Sequence, residues 1–281
     1  KMGKECSNES CSKESCGGCP SREKPDFHVD LNRFSHVAHV IGVVSGKGGV
    51  GKSFVTASLA NAMAAMGYRT GILDADITGP SIPRMYGLHG PTGMDEQGIR
   101  PLESANGISV MSVNLLLPGE DEPVIWRGPV IANMVKQFWT DVVWGELDYL
   151  FVDMPPGTGD VPLTVFQSLP VDGILIVTSP QELVEMIVTK AYKMAVMMKI
   201  PVLGLIENYS YILCPDCGKK ISVFGESHVE EVAGQMGLPV LGRLPIESRL
   251  AGLADEGRFA EVLNEYLDDA AAELRKFSVK E

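Results

Sequence analysis

The ten residues VSGKGGVGKS, at positions 44–53, restrict the possible folds more than any other part of this sequence. They follow an apolar, β-rich run and precede a stretch with a helical period. Gly46, Gly51, Lys52 and Ser53 satisfy the pattern G-x-x-x-x-G-K-[ST] in the strand–loop–helix context that this pattern requires. The sequence therefore predicts a phosphate-binding loop, the P-loop, between the first strand and the first helix.

The residue types of this loop suit phosphate chemistry. Glycines let successive backbone N–H groups turn toward phosphate oxygens, because no Cβ stands in the way. The helix that starts here adds the partial positive charge of its N-terminus. We expect Lys52 to bridge the outer phosphates of a nucleotide and the Ser53 hydroxyl to hold Mg²⁺. The predicted nucleotide-binding residues of the loop are Gly46, Lys47, Gly48, Gly49, Val50, Gly51, Lys52 and Ser53.

Five apolar runs bounded by turn residues read as buried strands: HVAHVIGVVS, RTGILDAD, LDYLFVDMPP, VDGILIVTSP and IPVLGLIEN. Helical patterns lie between them, at Phe54–Met66 and Glu182–Met198 among others. This alternation predicts an α/β fold, a doubly wound and mostly parallel sheet with helices on both faces. Asn106-Gly107, between two extended runs, predicts a hairpin inserted in that fold.

Carboxylates follow two of the predicted strands. Asp74 and Asp76 end one strand, and Asp153 ends another. Ligand groups of open α/β sheets collect at the carboxyl ends of strands, so we expect these acids beside the P-loop. An acid at a strand end is also often a helix cap, but three acids at two strand ends favour a site.

The composition excludes several classes of function. With 24 Lys and Arg against 36 Asp and Glu, the net charge of −12 disfavours nucleic acid as a partner. No run of about 18 apolar residues predicts a membrane span, and the first residues, KMGKECSNES, show no apolar core of a signal peptide. We therefore expect a cytoplasmic location without membrane attachment, where clustered thiols bind metal more often than they form disulfides.

The chain divides by composition into two parts. Residues 1–35 are polar and almost free of apolar side chains, so they cannot bury a core and are expected to form a flexible arm. Residues 36–281 form the predicted nucleotide-binding domain. The arm holds four of the six cysteines, which could bind a metal or a cluster or be spare thiols: Cys6, Cys11, Cys16 and Cys19.

The other two cysteines, Cys214 and Cys217, stand three residues apart in CPDCG. They supply two ligands, whereas iron–sulfur clusters and structural zinc usually take four. A two-fold axis between two copies would complete the set. The spacing alone leaves zinc and iron–sulfur equally open, with His228 as a further zinc ligand or, more simply, an exposed residue at a helix start.

The C-terminal stretch repeats apolar residues with a helical period from Phe259 to Leu274. The opposite face of that expected helix is acidic, with Glu261 and Glu265 among its residues. Because anionic lipid repels such a face, we expect a helix that packs on the core and not a membrane anchor.

The second lysine of the loop, Lys47, gives the form G-K-G-G-x-G-K-[ST]. This form resembles the deviant Walker A loop of the MinD, ParA, nitrogenase iron protein and ArsA class of P-loop NTPases. The resemblance implies that Lys47 reaches across a homodimer interface to the partner's ATP and acts in hydrolysis. It also implies that Asp76 is the switch I aspartate that orients the attacking water, and that Asp153 is the Walker B acid that supports Mg²⁺.

A narrower resemblance covers about residues 36–276. The segments DADITGPSIPRM, RGP, WGELDYLFVDMPPGTGD and IENYSYILCPDCG are similar to those of Mrp/ApbC-type iron–sulfur cluster carriers. The resemblance implies a homodimer that binds a [4Fe–4S] cluster on Cys214 and Cys217 and transfers it to apo iron–sulfur proteins, with slow ATP hydrolysis coupled to loading or transfer. It also implies that Asn208 reads the adenine ring.

The sequence departs from these relatives in two places. Phe224–Ala233 lacks a glycine run that many of them carry. The arm matches the ferredoxin-like element of some relatives only from Cys16 to Pro20. The alternative is a zinc-bound regulatory or positioning ATPase like MinD or ParA, which the lack of a basic amphipathic tail disfavours. A nitrogenase-type reductase ranks lower, because its cluster cysteines are not a C-x-x-C pair.

Overall fold

The computed structural model describes residues 28–76, 79–117, 128–180, 184–263 and 265–278. The four cysteines predicted to form an N-terminal site, Cys6, Cys11, Cys16 and Cys19, lie outside the described residues, so that hypothesis stays a prediction. Among the described residues, no helix is both long and apolar enough to cross a lipid bilayer.

The structure contains the five strands that the apolar runs predict and, among the described residues, seven shorter ones. In chain order they are β1 His36–Ser45, β2 Thr70–Asp74, β3 Met94–Asp95, β4 Gly98–Ile99, β5 Leu102–Glu103, β6 Ser109–Ser112, β7 Glu146–Asp153, β8 Gly173–Thr178, β9 Val202–Glu207, β10 Ile212–Leu213, β11 Lys220–Ile221 and β12 Val240–Arg243. The α-helices are α1 Lys52–Ala65, α2 Ile82–Met85, α3 Gly128–Thr140, α4 Asp160–Ser168, α5 Val184–Met198, α6 Val229–Met236, α7 Ser248–Asp255 and α8 Asp268–Ser278.

Within the described part of the chain, eight strands form one sheet in the order β12-β9-β8-β1-β7-β2-β6-β5. All neighbouring strands in it are parallel except β5 and β6, which pair antiparallel and form the predicted hairpin at Asn106-Gly107. The doubly wound, mostly parallel sheet is thus confirmed, and β1 lies at its centre with the P-loop at its carboxyl end.

Helices cover both faces of the sheet. Alternate residues of β1 enter two separate apolar clusters, as side chains of a strand must. Val40 and Val44 pack with α3, α4, α5 and α6, whereas Ile41 and Val43 pack with α1, α2, α7 and α8. Because both faces are buried, the central strands are apolar throughout and show no alternation with polar residues.

The last part of the predicted arm lies against this fold. The Val29 N–H donates to Ser168 O at 3.0 Å, and Trp139 Nε1 donates to Val29 O at 3.0 Å. The Asn32 side chain is buried and its Nδ2 donates to Gln97 O at 3.1 Å. Contacts of the sheet domain therefore begin before residue 36, although the division of the chain into arm and domain stays a prediction.

The continuous helix predicted from Phe259 to Leu274 is wrong in its first half. Two short 3₁₀ turns, Phe259–Glu261 and Glu265–Leu267, precede α8. Asn61 Nδ2 of α1 donates to the carbonyl oxygens of Phe259 at 2.7 Å and Val262 at 3.0 Å. These carbonyls bond to a side chain of another element, so the chain turns here before the helix begins.

A candidate nucleotide site and a thiol hairpin

The P-loop joins β1 to α1 in the predicted place. Gly49 has φ +78° and Gly51 has φ +77°, a left-handed conformation that glycine adopts without a Cβ penalty. Gly51 is also the N-cap of α1, and a Cβ placed on it would lie 2.1 Å from Asn208 Nδ2. The glycines thus give the loop its turn and let β9 approach it closely.

A cavity of about 380 Å³ opens above this loop. The predicted site residues Gly48, Gly49, Val50, Gly51, Lys52, Ser53 and Asp76 line it. Tyr209, Met85 and Asp255 line it as well, although no sequence motif points to them. Of the remaining loop residues, Gly46 packs against Ile187 of α5, and Lys47 is half-buried with its carbonyl accepting from Ser45 Oγ at 3.0 Å.

Lys52 is almost fully buried beneath the loop. Its Nζ lies 2.7 Å from Asp153 Oδ1 and 3.8 Å from Asp76 Oδ2, with 6% of the side chain exposed. The contact with Asp153 is an ion pair that lacks the geometry of a hydrogen bond. The N–H donors of the ammonium group therefore remain available to a ligand. A buried cation with spare donors at the floor of a glycine-rich cavity fits an incoming phosphate group.

Asp153, at the end of β7, is fully buried and held by α1. Ser53 Oγ donates to its Oδ2 at 2.5 Å, and Thr56 Oγ1 donates to its Oδ1 at 2.8 Å. The sequence predicted Ser53 and Asp153 but missed Thr56, one helical turn after Lys52. A hydroxyl beside a buried carboxylate offers the oxygen ligands that Mg²⁺ prefers, so these residues fit the predicted ion.

Asp74 adds a second buried carboxylate, paired in register with Asp153 between β2 and β7. Burial, with the neighbouring charge of Asp153 as the next cause, raises the pKa of Asp74 to about 8. Its Oδ1 accepts from the Asp76 N–H at 3.1 Å. Even with Asp74 protonated, the carboxylates of Asp76 and Asp153 face one lysine, so this edge of the sheet is short of positive charge, which a divalent cation would supply.

Asn208 follows β9 and is buried. Its Nδ2 donates to Val50 O at 3.0 Å, and its backbone N–H donates to Thr178 O at 2.8 Å. The side chain therefore holds the P-loop, and it is not among the residues that line the cavity. Its predicted contact with adenine stays a prediction. Tyr209, which does line the cavity, has a left-handed φ of +59°. Non-glycine residues with such strained backbones are found most often at functional sites.

Cys214 and Cys217 lie on a small hairpin, residues 212–221, which we call the thiol hairpin. Strands β10 and β11 pair antiparallel, and the Cys214 N–H donates to Lys219 O at 2.9 Å. The Gly218 N–H donates to Cys214 O at 2.8 Å, with Gly218 at φ +69°. Both thiols are free, Cys214 half-buried and Cys217 exposed.

The backbone around the turn favours thiolate. Hydrogen bonds from the N–H groups of Cys217 and Asp216 lower the pKa of the Cys214 thiol. Among the described residues, no group of three or more His, Cys, Asp or Glu could hold a metal ion. His228 is exposed, precedes α6 and lies 3.6 Å from Glu231, which confirms the simpler expectation of a residue at a helix start.

Exposed apolar side chains flank the two thiols along the chain. Four large side chains of the hairpin and of the segment after it are each more than two-fifths exposed: Leu213, Ile221, Val223 and Phe224. The altered segment Phe224–Ala233 contributes one of them and then enters α6 at Val229. Large exposed apolar side chains grouped in this way are typical of an interaction surface.

Comparisons with known proteins agree with this geometry. A family model described as ParA: NUBPL iron-transfer P-loop NTPase matches residues 36–278. A protein of Clostridium perfringens (strain 13 / Type A), named iron-sulfur cluster carrier protein, is 45% identical over 270 residues, which are 92% of this chain and 94% of that protein.

Solved structures show the same fold. A nucleotide-binding protein from Archaeoglobus fulgidus, in complex with ADP, is 44% identical with a TM-score of 0.74, over 82% of this chain and 90% of that one. The cell division ATPase MinD of Pyrococcus furiosus is 20% identical with a TM-score of 0.61, over 85% of this chain and 99% of that one, which shows the fold alone. By its family model and its nearly full-length relative, this chain belongs to the NUBPL-type iron-transfer P-loop NTPases of the ParA class.

Proposed function

We propose that this protein is an ATP-dependent iron–sulfur cluster carrier that binds a [4Fe–4S] cluster between two copies of the chain and passes it to apo iron–sulfur proteins. The observation that carries the proposal is the pair of free thiols on one hairpin, half-buried Cys214 and exposed Cys217, in a member of an iron-transfer family. The name of the Clostridium relative, a cluster carrier, supports it.

Two thiols in each chain argue for a shared cluster. A [4Fe–4S] cargo takes four thiolates, and a symmetric dimer brings two identical surfaces together. The lowered pKa of Cys214 favours the thiolate that binds iron, and N–H groups directed at its sulfur suit a bound cluster. The apolar side chains around the hairpin would be buried against the same surface of the partner. A homodimer is thus part of the proposal.

The nucleotide site supplies the other half of the proposal. Lys52 and the P-loop N–H groups would bind the phosphates of ATP, and Ser53 with Asp153 would hold Mg²⁺, which neutralises the phosphate charge. Asp76, at the cavity wall, would orient the water that cleaves ATP to ADP and phosphate. Lys47 would reach the nucleotide of the partner subunit. Asn208, between loop and hairpin, would sense the bound base.

The test is a count of iron, acid-labile sulfide and zinc per chain after anaerobic reconstitution. We would compare the full chain with a Cys214→Ala/Cys217→Ala variant and with a protein lacking residues 1–27. The double variant should lose about half a [4Fe–4S] cluster per chain, because one cluster is shared by two chains. Iron lost with residues 1–27 would count a second site on Cys6, Cys11, Cys16 and Cys19.

Two controls make the count decisive. The double variant must still bind ATP, so that lost iron is not lost folding, and light scattering must show the reconstituted wild type as a dimer. Zinc without sulfide in every sample would contradict the carrier function and favour the zinc-bound ATPase. Iron retained by the double variant in full would show that the thiol hairpin does not hold the cluster.

A further inference from the structure

Glu207 ends β9 as a fully buried carboxylate. One of its oxygens accepts a hydrogen bond from Ser210 Oγ, and the other accepts one from Ser227 Oγ at 2.5 Å. A buried carboxylate is costly unless both oxygens are satisfied, and hydrogen bonds to a charged acceptor are the stronger kind. The nucleotide site does not use this group, so its burial needs another explanation.

The two serines stand on opposite sides of the thiol hairpin. Ser210 precedes it and Ser227 follows it, while every residue from 215 to 226 is exposed. The leg before the hairpin is also tied to the chain after β12, because the Ser210 N–H donates to Leu244 O at 2.8 Å. On the other leg, Ser227 Oγ accepts from the Val229 N–H at 3.2 Å, where α6 begins. Glu207 thus fastens both legs of an exposed segment to one point, the carboxyl end of β9.

The next residue reaches the other site. Asn208 Nδ2 bonds to Val50 O of the P-loop, so consecutive side chains at the end of β9 contact the thiol segment and the nucleotide loop. The backbone between them is fixed, since the Asn208 N–H donates to Thr178 O and the Leu244 N–H donates to Glu207 O. A displacement of Val50 would therefore move a rigid strand end that also carries the hairpin.

We propose that Glu207 is a positioning residue. It holds both legs of the thiol hairpin on the strand end that contacts the P-loop, and so links the state of the nucleotide site to the thiols. This role rests on the function proposed above, in which these thiols carry the cluster. Glu207 touches neither nucleotide nor cluster. Its role is to transmit position, through Ser210 and Ser227, from β9 to Cys214 and Cys217.

The test follows thiol reactivity in the cluster-free full chain, with and without ATP or ADP and Mg²⁺. Iodoacetamide labelling would be read by mass spectrometry, so that Cys214 and Cys217 are resolved from the four cysteines near the N-terminus, which control for the reagent. In the wild type, nucleotide should change the labelling rate of the Cys214 and Cys217 pair at least about twofold. In Glu207→Gln and Ser227→Ala this ratio should fall to about one, and the rate without nucleotide should rise about threefold as the hairpin loosens.

Matched variants separate this role from a general loss of structure. Ser227→Thr keeps the hydroxyl and should restore the nucleotide effect. Ser104→Ala removes a buried serine that bonds to Asn106 and Ile108 in the hairpin at the opposite edge of the sheet, and it should leave the ratio unchanged. Nucleotide affinity in Glu207→Gln, measured with a fluorescent ADP analogue, should stay within about twofold of the wild type.

Two outcomes would overturn the inference. One is a wild-type labelling rate that nucleotide does not alter. The other is a nucleotide effect that survives in both Glu207→Gln and Ser227→Ala, or that Ser104→Ala removes equally. The labelling is done without a cluster, so failure of the cluster count would leave this result readable, and failure here would leave the cluster count intact.

Discussion

The nucleotide site and the thiol hairpin are built in opposite ways. At the nucleotide site, Lys52 and Asp153 are buried and each touches groups from a different element. At the hairpin, Cys217 is exposed and the local hydrogen bonds stay within the turn. The first site is organised by burial within one chain, and the second presents its reactive groups outward. This difference suits the proposed carrier function, which needs a rigid nucleotide site and accessible cluster ligands.

The largest effect that tests this contrast is expected for Lys52→Met. Methionine fills the space but leaves Asp153 without its cation, and an uncompensated buried charge costs about 3–5 kcal/mol of stability. Phosphate binding should fall by about 10- to 100-fold with the loss of a charged donor. Calorimetric titration with ATP and Mg²⁺, below the unfolding midpoint of the variant, measures it. An unchanged affinity would place the phosphates elsewhere.

A second prediction concerns the pH dependence of stability, through the raised pKa of Asp74. Its folded pKa of about 8 lies above the ordinary value of 3.8, so between those values the folded chain holds a proton that the unfolded chain has released. The contribution of Asp74 to stability is therefore greatest at the acid end and declines as pH rises to about 8. Asp74→Asn should flatten this decline and be the more stable protein above pH 8, in urea unfolding without nucleotide.

A matched control for Asp74 is Asp148→Asn. Hydrogen bonding to Arg69 lowers the pKa of Asp148, so its contribution is present above the ordinary pKa of an aspartate and is lost only in acid. Across neutral pH its variant should shift the stability by a constant amount, without a change of slope. Equal slopes in wild type and Asp74→Asn would show that Asp74 is ionised in the folded protein.

Two glycines allow the same substitution in each region. Gly51 and Gly218 both have left-handed backbones, where alanine costs about 1–2 kcal/mol. A Cβ at Gly51 would also lie 2.1 Å from Asn208 Nδ2, whereas one at Gly218 meets nothing within 4 Å. Gly51→Ala should therefore destabilise the protein more than Gly218→Ala in urea unfolding. Equal losses of unfolding free energy would show that the P-loop accommodates a Cβ as easily as the exposed turn does.

The sequence predicted what depends on neighbours in the chain. The P-loop is predictable because its glycines, lysine and serine must follow one another between a strand and a helix. The bounds His36–Ser45 of β1 agree with the predicted run, since a strand buried on both faces is apolar along its length. The C-x-x-C pair was likewise a local pattern, and its hairpin follows from the turn at Gly218.

Contacts between distant segments were beyond such patterns. The bond from Asn61 to the carbonyls of Phe259 and Val262, which interrupts the predicted C-terminal helix, joins residues about 200 positions apart. The local sequence does not predict the hydrogen bonds of Glu207 either, because a glutamate at the end of an apolar strand is expected to face solvent. The order of the strands in the sheet decides which elements meet at a strand end. No single segment of the sequence encodes that order.

The smallest expected effect concerns the acidity of one thiol. Amide hydrogen bonds to the Cys214 sulfur lower its pKa in the folded chain, so Cys214 should label with iodoacetamide at a lower pH than it does in urea, where those bonds are absent. The pH profile of labelling, read at this cysteine alone, measures the difference. Coincident profiles would mean that the turn does not favour thiolate, and the thiol hairpin would then contribute only its position and its exposure to the proposed cluster binding. A profile shifted toward acid would show that backbone N–H groups, and not burial, prepare the Cys214 thiol to bind a metal before any ligand is present.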